Sequence, residues 1–312
     1  MPTSCNPAPT ERHKALRQVA KAVYVLPGSK ASLRALTRFS VQSLPVSLKN
    51  KQRLYNFFAA DTVPAGPVNC SGRLPSGEPV ELTLDLRDDL SRIWYYWGYS
   101  GYEQATVRLF CELLKSKRCV FDVGANVGYY TLLAACALEG RGEVHAFEPS
   151  PEIFGKLCRN VDRNALRCVS LNQAALAAED GEQKLFLPAD RAGTNASLVE
   201  NFTQQGGFVM TPAIRFDSYC KSQVKRPVDL VKIDAEGAEA SVLRGAGSLI
   251  DEWRPDIICE VLQPFETELD CFFSGKPYRK FLITGDGLRE TERLEAHPQF
   301  RDYYLSTAPV CQ

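Results

Sequence analysis

The stretch VFDVGANVGYYTLLAA, residues 120–135, decides the fold of this chain. Its first four residues are mostly apolar and have the pattern of a buried strand, and the run after Gly128 has the pattern of a helix. Gly124 and Gly128 provide a tight turn between them, and Asp122 lies two residues before it. A turn at the start of a helix presents backbone N–H groups to the charged part of a ligand. The stretch therefore predicts a site for a nucleotide-like ligand.

Strand and helix patterns alternate from residue 119 to the end of the chain. Helical patterns occupy residues 128–138 and 236–249 and the segment SPEIFGKLCRNV, whereas residues 188–209 have the composition of a loop. Such alternation is typical of a parallel sheet with helices on both faces, and we predict an α/β, Rossmann-like fold. The strand patterns are CVFDV, EVHAFEP, RCVSLNQAAL, KLFLP, VDLVKID, DIICEV, YRKFLIT and DYYLST.

The chain is predicted to have two parts. Residues 61–80 are rich in Pro, Gly and Ser and have the composition of a linker or irregular loop. Before them, residues 11–60 have broken helical patterns, and the first 54 residues contain ten Lys or Arg and a single acidic residue, Glu11. We predict a helical or irregular N-terminal extension over residues 1–75 and one domain over residues 76–312.

The composition is that of a soluble globular protein, with 45% apolar and 24% charged residues and equal numbers of basic and acidic side chains. Its eleven cysteines include no CxxC pair, which argues against a disulfide framework or a zinc motif and favours a reducing compartment. No apolar run approaches the ~20 residues of a membrane span, and the N-terminus lacks a secretory signal. We predict a cytoplasmic protein, although the basic N-terminus leaves organellar targeting open.

Polar residues follow the predicted strands at the point where each strand ends. In a parallel sheet these positions meet at one edge, where the ligands of open α/β sheets bind. Each residue alone could simply cap the next helix, but five such positions together predict a binding site. The positions are Asp122 to Gly124, Glu148, Asn172 to Ala174, Asp234 to Gly237, and Glu260.

The turn itself separates three classes of nucleotide ligand. A phosphate-binding P-loop needs GxxxxGK[ST], but Tyr129 and Tyr130 follow Gly128 where that motif has Lys and Ser or Thr. A dinucleotide turn needs GxGxxG, and the spacing here is GANVG, without the Gly-x-Gly. The turn therefore argues against a Walker-type ATPase and against a nicotinamide-dependent oxidoreductase.

Two carboxylates favour S-adenosylmethionine, the third class of ligand. Asp122 would suit the ammonium group of an amino acid and would repel a pyrophosphate. Glu148 is predicted to end the next strand, where its two oxygens can accept hydrogen bonds from both hydroxyls of a ribose. The start of the helix supplies N–H groups for the carboxylate of the ligand. An amino acid joined to a nucleoside needs these features together.

The chain resembles the FkbM family of S-adenosylmethionine-dependent methyltransferases over about residues 80–261. Asn126 stands where the general methyltransferase turn has Gly, and members of this family commonly have Asn there. DVGANVGYYT and KIDAEGAE together carry most of the specificity. The matching segments, in the order of the family, are FDVGANVGYYTLLAA, GEVHAFEPSPEIFGKLCRNV, NQAAL, NASLVE, VDLVKIDAEGAEASVLRGA and RPDIICEV.

The resemblance implies a class I methyltransferase fold, with a seven-stranded, mostly parallel sheet whose last strand is antiparallel. Family members mostly methylate hydroxyls of sugars, lipid-linked glycans or macrolide natural products. The implied reaction is therefore in-line O-methylation of a small-molecule or glycan acceptor. The residues implied for S-adenosylmethionine are Asp122, Gly124, Asn126, Gly128 and Glu148, with Asn172 and Ala174 near the adenine.

The segment KIDAEGAE is predicted to end its strand at Asp234 and to begin a helix, with Glu236 and Glu239 on one face. Methyl transfer to oxygen needs an aligned acceptor and often a base. We predict that Asp234 or Glu236 acts as this base or orients the acceptor hydroxyl, although both could instead complement the helix N-terminus. Asp234, Glu236 and Glu260 also have the oxygen atoms that divalent cations bind, but no metal is predicted.

Three other functions stay open from the sequence. A ribose methyltransferase would use the basic N-terminus to bind RNA phosphates, a binding protein would keep the fold without the reaction, and a nicotinamide oxidoreductase would need the missing Gly-x-Gly. Methylation of DNA or of bases is not expected, because no Asp/Asn-Pro-Pro-aromatic motif or Pro-Cys nucleophile is present. The aromatic run from Trp94 to Tyr102 is predicted to pack in the core or form a lid, and His145 to be a core residue. The oligomeric state is not predicted.

Overall fold

The computed structural model of the protein describes residues 31–32, 34–35, 37–39, 63–189, 196–202 and 205–308. The described residues before position 40 are helical. The other residues before position 63 lie outside the described ranges, so the helical extension and the organellar signal stay predictions. No helix within the described ranges is both long and apolar enough to cross a bilayer.

The elements from residue 63 onward alternate as the sequence patterns predict. The strands are β1 (Val68–Arg73), β2 (Pro79–Leu84), β3 (Cys119–Val123), β4 (Glu143–Phe147), β5 (Val169–Asn172), β6 (Ala175–Ala177), β7 (Gly181–Pro188), β8 (Gln205–Arg215), β9 (Leu230–Ile233), β10 (Asp256–Glu260), β11 (Arg279–Thr284), β12 (Gly287–Thr291) and β13 (Asp302–Ser306). The helices are α1 (Asp89–Trp97), a 3₁₀ turn (Gly98–Gly101), α2 (Gln104–Leu114), α3 (Tyr129–Leu138), α4 (Pro151–Arg163), α5 (Phe216–Gln223), α6 (Glu239–Gly245), α7 (Leu249–Trp253) and α8 (Glu266–Phe273).

The central sheet has the strand order β12-β11-β13-β10-β9-β3-β4-β5. Strands β10, β9, β3, β4 and β5 are parallel, and β13 lies between β10 and β11, antiparallel to both. The predicted α/β fold with an antiparallel last strand is therefore confirmed. This arrangement brings the carboxyl ends of β3, β4, β9 and β10 to one edge.

The predicted number of seven strands is wrong for this sheet, which has eight in the described residues. The additional strand is β12, which pairs with β11 across a two-residue turn at Gly285 and Asp286. Gly287 closes this turn with φ of +125°, a conformation that only glycine adopts readily. The segment after β11 therefore turns back and extends the sheet by one strand.

A second, three-stranded sheet has the order β6-β8-β7 and departs from two predictions. The predicted strand RCVSLNQAAL divides into β5, which pairs in the central sheet, and β6, which pairs with β8. The predicted loop at residues 188–209 includes the start of β8, because residues 205–209 pair with β7. Helix α6 likewise begins at Glu239 and not at residue 236.

Each face of the central sheet is covered by helices. Val120 and Val144 pack in the core on the side of α1–α4, and Phe121 and Val231 pack on the side of α5–α8. Phe121 stacks on Phe216 with ring centroids 4.8 Å apart. Val120 and Phe121, neighbours in β3, therefore pack on opposite faces of the sheet, because successive side chains of a strand point to opposite sides.

A hairpin of β1 and β2 attaches to α4 through two asparagines. The Asn160 Oδ1 atom accepts from the Thr83 backbone N–H at 2.7 Å, and its Nδ2 donates to the Val127 carbonyl at 2.8 Å. Asn164 accepts from Glu81 N–H at 2.8 Å and donates to the Glu81 carbonyl. The predicted boundary at residue 75 falls in the turn of this hairpin, so β1 pairs with the domain that follows. The division into 1–75 and 76–312 itself stays a prediction.

Candidate active site

A cavity opens at the carboxyl ends of β3, β4, β9 and β10, the edge predicted from the sequence. The empty space within it, including the open mouth and the solvent there, is about 1120 Å³. Tyr102, Tyr130, Glu260 and Arg301 contribute to its walls. The predicted site residues that line it are Gly124, Asn126, Glu148, Ala174, Asp234 and Glu236.

The turn between β3 and α3 packs so closely at Gly124 that a residue with a side chain does not fit there. Its φ is +79°, and a Cβ atom there would lie 1.8 Å from the Asp234 carbonyl oxygen. The N–H groups of Gly124 and Ala125 both donate to the Phe147 carbonyl, at 3.0 and 2.9 Å. Asn126 also has a left-handed backbone, with φ of +51°. The turn is thereby held against the ends of β4 and β9.

Glu148 is buried at the end of β4, and its carboxylate organises the turn. It accepts hydrogen bonds from the backbone N–H groups of Asn126 at 3.0 Å and Ser150 at 2.9 Å. Burial raises its pKa to about 7, although these two hydrogen bonds act in the opposite direction. Each carboxylate oxygen keeps a further lone pair, so Glu148 can still accept from a ligand in the cavity. Its predicted contact with a ribose stays a prediction.

Three predicted cofactor residues do not line the cavity. Asp122 is buried within β3 and accepts from the Thr131 hydroxyl at 2.5 Å, and burial raises its pKa to about 6. Gly128 precedes α3 with φ of +99°, and a Cβ there would lie 2.9 Å from Leu157. The side-chain amide of Asn172 donates to the carbonyl of Ala146 at 3.2 Å. In the structure these residues shape the surroundings of the cavity.

The segment KIDAEGAE forms a loop between β9 and α6 that directs Asp234 and Glu236 into the cavity. Glu236 and Gly237 have φ of +51° and +93°, so the chain turns sharply between strand and helix. Glu239 is fully buried and accepts from the N–H groups of Ala235 at 3.0 Å and Gly237 at 3.1 Å. Glu236 and Glu239 therefore do not share a helix face as predicted. Glu236 belongs to the loop, and the carboxylate of Glu239 binds the backbone of that loop.

Three charged residues in or near the cavity wall, Lys232, Asp302 and Arg301, were not predicted from the sequence. Lys232 has no exposed surface, and its Nζ atom is 3.6 Å from Asp234 Oδ2 and 3.5 Å from Asp302 Oδ1. Arg301 lies 3.5 Å from Glu260. A lysine within the apolar strand LVKI is a signal that sequence reasoning could have used, because unpaired lysines are almost never fully buried.

Three carboxyl groups at this edge have strongly raised pKa values. Burial, followed by repulsion from Asp234, raises the pKa of Glu260 to about 10 and that of Glu236 to about 8. Burial and then Asp302 raise the pKa of Glu103 to about 7. Glu103 accepts from the Tyr130 hydroxyl at 2.6 Å. At neutral pH, therefore, Glu236 and Glu260 mostly carry protons.

The raised pKa of Glu260 leads us to expect a loss of stability as the pH rises. Between its ordinary pKa of 4.5 and about 10, the folded protein holds a proton that the unfolded chain releases. The free energy of unfolding consequently falls with pH across this range. Glu260→Gln should remove this contribution and raise the melting temperature at pH 8 by several degrees, from roughly 1–3 kcal/mol, with a smaller gain at pH 5.

Thermal unfolding of the Glu260→Gln variant at both pH values measures this effect. Glu182→Gln is the matched control, because Glu182 is exposed on β7 and lies outside the cavity. A gain that is equal at pH 5 and pH 8 would show that Glu260 does not hold an extra proton in the folded state.

A group with metal-binding atoms lies at the opposite end of the strands. The ligand atoms of Cys119, Glu143 and His145 are within 4.8 Å of one another. His145 is buried, as predicted for a core residue, and its Nδ1 is 2.9 Å from the Tyr219 hydroxyl. The Arg226 guanidinium lies 3.6 Å from Glu143 and supplies a positive charge. The Oε1 atom of Glu143 and the Nε2 atom of His145 are buried and have no hydrogen-bond partner among the described residues.

The predicted aromatic run is mainly core. Trp94, Tyr96 and Tyr99 are buried, and Trp94 packs edge-on against Tyr129 with ring centroids 5.1 Å apart. The Tyr129 hydroxyl donates to the Tyr99 carbonyl at 2.7 Å. The run therefore anchors the start of α3.

Comparison with known proteins identifies the family of this chain. Residues 122–301, more than half of the sequence, match the family model described as the methyltransferase FkbM domain. The chain belongs to the FkbM methyltransferase family. The cofactor of this family is S-adenosylmethionine, so the predicted family, fold class and cofactor agree with the match.

Two curated relatives of this FkbM-family protein illustrate the similarity. The hexuronic acid methyltransferase AglP of Haloferax volcanii is 31% identical over 171 residues, which cover 54% of this chain and 65% of AglP. The 31-O-demethyl-FK506 methyltransferase FkbM of Streptomyces tacrolimicus is 29% identical over 154 residues, 40% of this chain and 58% of that protein. The chain thus spans less than two thirds of the length of either relative.

Solved structures provide two further matches. A methyltransferase FkbM from Methylobacillus flagellatus superimposes with a TM-score of 0.39 at 18% identity, covering 62% of this chain and 44% of that protein. TYW2 of M. jannaschii in complex with AdoMet superimposes with a TM-score of 0.38 at 13% identity, covering 78% and 86%. These superpositions are partial, and membership of the family depends on the sequence match.

Proposed function

We propose that this FkbM-family protein transfers the methyl group of S-adenosylmethionine to a hydroxyl group of a sugar, a glycan or glycolipid, or a related natural product. One observation carries the proposal. The carboxyl groups of Asp234 and Glu236 line the same cavity as the Gly124 turn and Glu148. A cofactor site and groups able to bind an acceptor hydroxyl therefore share one space.

The residues around the turn fit S-adenosylmethionine. Gly124 brings two chain segments so close that a Cβ would overlap a backbone atom, Glu148 offers free lone pairs inside the cavity, and Ala174 is a small residue in its wall. We propose that Gly124, Asn126, Glu148 and Ala174 hold the cofactor, while Asp122, Gly128 and Asn172 support them from outside the cavity. When bound, the sulfonium of the cofactor supplies the electrophilic methyl group.

The residues on the KIDAEGAE loop would act on the acceptor. An acceptor hydroxyl must face the methyl group in line and lose its proton during transfer. The Lys232 ammonium lies 3.6 Å from the Asp234 carboxylate, whereas burial and repulsion from Asp234 raise the pKa of Glu236 to about 8. We propose Asp234 as the base and Glu236 as a group that orients the acceptor. No metal is needed for either role.

Arg301 suggests that an acidic sugar is a suitable acceptor. It lines the cavity, and 67% of its side chain is exposed. Its neighbour Glu260 has a pKa of about 10, so Glu260 does not neutralise Arg301 at pH 7. The guanidinium is thus available for a carboxylate, the group that the relative named for hexuronic acid would encounter on its substrate.

The first experiment is calorimetric titration of the protein with S-adenosylhomocysteine, with NAD as control. Micromolar binding of the first and none of the second supports the cofactor assignment. An acceptor screen with methyl glucuronoside and methyl glucoside then tests the reaction, and we expect methylation of the uronic acid to be faster. Binding of RNA together with methylation of its ribose would favour the ribose methyltransferase, and binding without turnover would favour a non-catalytic protein.

Glu148→Ala should weaken binding of S-adenosylhomocysteine by about 10- to 150-fold. The ribose would lose a charged acceptor worth roughly 1.5–3 kcal/mol. Calorimetry measures the affinity, and Glu182→Ala, at an exposed position on β7, is the control. Equal affinities of Glu148→Ala and the unaltered protein would remove Glu148 from the cofactor site.

A further inference from the structure

The most unusual feature outside the predicted site is the buried side chain of Lys232. It belongs to β9, between Val231 and Ile233, and has no exposed surface. Lys232 does not line the cavity, yet its Nζ atom is 3.6 Å from the Oδ2 atom of Asp234, which does. The ammonium group thus lies directly behind the carboxylate that we propose as the base.

Groups from several other elements face this ammonium. Asp302 of β13 approaches it to 3.5 Å, and the ring of Tyr130 on α3 has its centroid 5.2 Å away. Glu103, just before α2, and Glu260, at the end of β10, also interact electrostatically with it. Lys232 is therefore a positive charge shared by carboxyl groups that come from distant parts of the chain.

Hydrogen bonds hold the surrounding carboxyl groups in place. The Thr106 hydroxyl of α2 donates to Asp302 Oδ2 at 2.7 Å. The Tyr130 hydroxyl donates to Glu103 at 2.6 Å. The Lys232 Nζ and Asp302 Oδ1 atoms face each other at 3.5 Å but neither makes a hydrogen bond among the described residues, so the ammonium contributes mainly its charge.

Lys232 is charged and is not itself a base. Burial lowers its pKa, but attraction to Asp302, Asp234, Glu103 and Glu260 outweighs burial and raises the pKa well above its ordinary range. Fold stability is a weak reason for such a cluster, because well-packed apolar residues often stabilise a core equally well. Its position behind Asp234 points to a role in the reaction.

We propose that Lys232 is a positioning residue, whose buried ammonium attracts the Asp234 carboxylate and directs it toward the acceptor hydroxyl. The proposal rests on the function proposed above. Asp302, which does not line the cavity, completes the arrangement because its carboxylate lies 3.5 Å from the Lys232 ammonium and balances its charge. The proton of the acceptor then passes to Asp234, while Lys232 keeps its own protons throughout.

The test compares Lys232→Met, which removes the charge, with Lys232→Arg, which keeps it. With methyl glucuronoside as acceptor, Lys232→Met should lower kcat at pH 7 by roughly 10- to 100-fold and move the acid limb of the pH–rate profile upward by about 1–3 pH units. Affinity for S-adenosylhomocysteine should not change. Lys232→Arg should restore the position of the acid limb, which recovery of packing alone would not do.

A second measurement does not depend on methyl transfer. The ionisation of Asp234 can be followed by ¹³C NMR of labelled aspartate carboxyls, with the signal assigned by its loss in Asp234→Asn. Its titration midpoint should rise by about 1–3 pH units in Lys232→Met. An unchanged midpoint would overturn the proposal. If the protein shows this shift but methylates no acceptor, the proposed function fails. The electrostatic effect of Lys232 on Asp234 is then still supported.

A companion variant covers the case in which Lys232→Met does not fold. Lys232→Met combined with Asp302→Asn removes the ammonium together with the buried carboxylate of Asp302, so fewer charges are left unpaired. Asp234 still loses its cation in this double variant. Loss of the Asp302 charge relieves some repulsion of Asp234, so we expect a smaller upward shift of the Asp234 titration than in Lys232→Met, and the absence of any upward shift would overturn the proposal.

Discussion

Asp234→Asn should lower kcat by about 10²- to 10⁴-fold without weakening S-adenosylhomocysteine binding. The amide is almost the same size as the carboxylate but cannot accept the proton of the acceptor, and general base catalysis contributes this much to enzymatic rates. Asp234 follows β9 and Glu148 follows β4, the two strands on either side of β3 in the sheet. Steady-state kinetics with methyl glucuronoside and calorimetry with S-adenosylhomocysteine measure the two effects separately.

Two further variants make the Asp234 prediction specific. Asp286→Asn, in the exposed turn between β11 and β12, should leave kcat unchanged. Glu236→Gln should reduce kcat less than Asp234→Asn at pH 7, because Glu236, with a pKa of about 8, is already mostly protonated there. If instead the rate rises tenfold per pH unit up to about pH 8 and Glu236→Gln abolishes it, Glu236 is the base.

Gly124→Ala should have the largest effect on both folding and cofactor binding. The new Cβ would lie 1.8 Å from the Asp234 carbonyl oxygen, on a residue with φ of +79°. Either the turn or the end of β9 must move, at a cost of roughly 2–6 kcal/mol from overpacking and backbone strain. We expect a lower melting temperature. We also expect the affinity for S-adenosylhomocysteine to fall by at least about 100-fold, which corresponds to a loss of roughly 2.7 kcal/mol of binding free energy.

Gly140→Ala is the matched control for this substitution. Gly140 has a similar φ of +68°, but a Cβ added there would meet no atom within 4 Å. It therefore carries the cost of the left-handed backbone without the overlap, and its cofactor affinity should not change. Equal effects of the two substitutions would mean that the close approach of Gly124 and Asp234 has no part in forming the site.

The parallel part of the sheet could be predicted because its strands are short apolar runs that end in polar residues. β3, β4, β9 and β10 are buried along almost their whole length, so their patterns are nearly independent of their neighbours. β12 and the start of β8 were missed because both are largely exposed, and the start of β8 contains two glycines, which are depleted in strands. Their conformation depends on pairing with β11 and β7, which no local pattern reveals.

The cavity residues on loops were predictable, and those supplied by distant segments were not. Gly124, Glu148 and Asp234 follow strands directly, so their position at the edge follows from the fold. Asp122 lies within β3, where alternation turns its side chain toward a face of the sheet, and it consequently does not line the cavity. Arg301 belongs to no motif, and its place in the cavity wall depends on how the C-terminal strand returns to the sheet.

The β1–β2 hairpin has a consequence for any shortened form of the protein. β2 pairs with β1 alone among the described strands, and Asn160 ties β2 to the Val127 carbonyl beside the cofactor turn. A chain begun at residue 76 would leave β2 with a row of unpaired N–H and C=O groups, an edge that favours association with other chains. We therefore expect a shortened form to need a start before Val68 if it is to keep β2 paired and the Gly124 turn ordered.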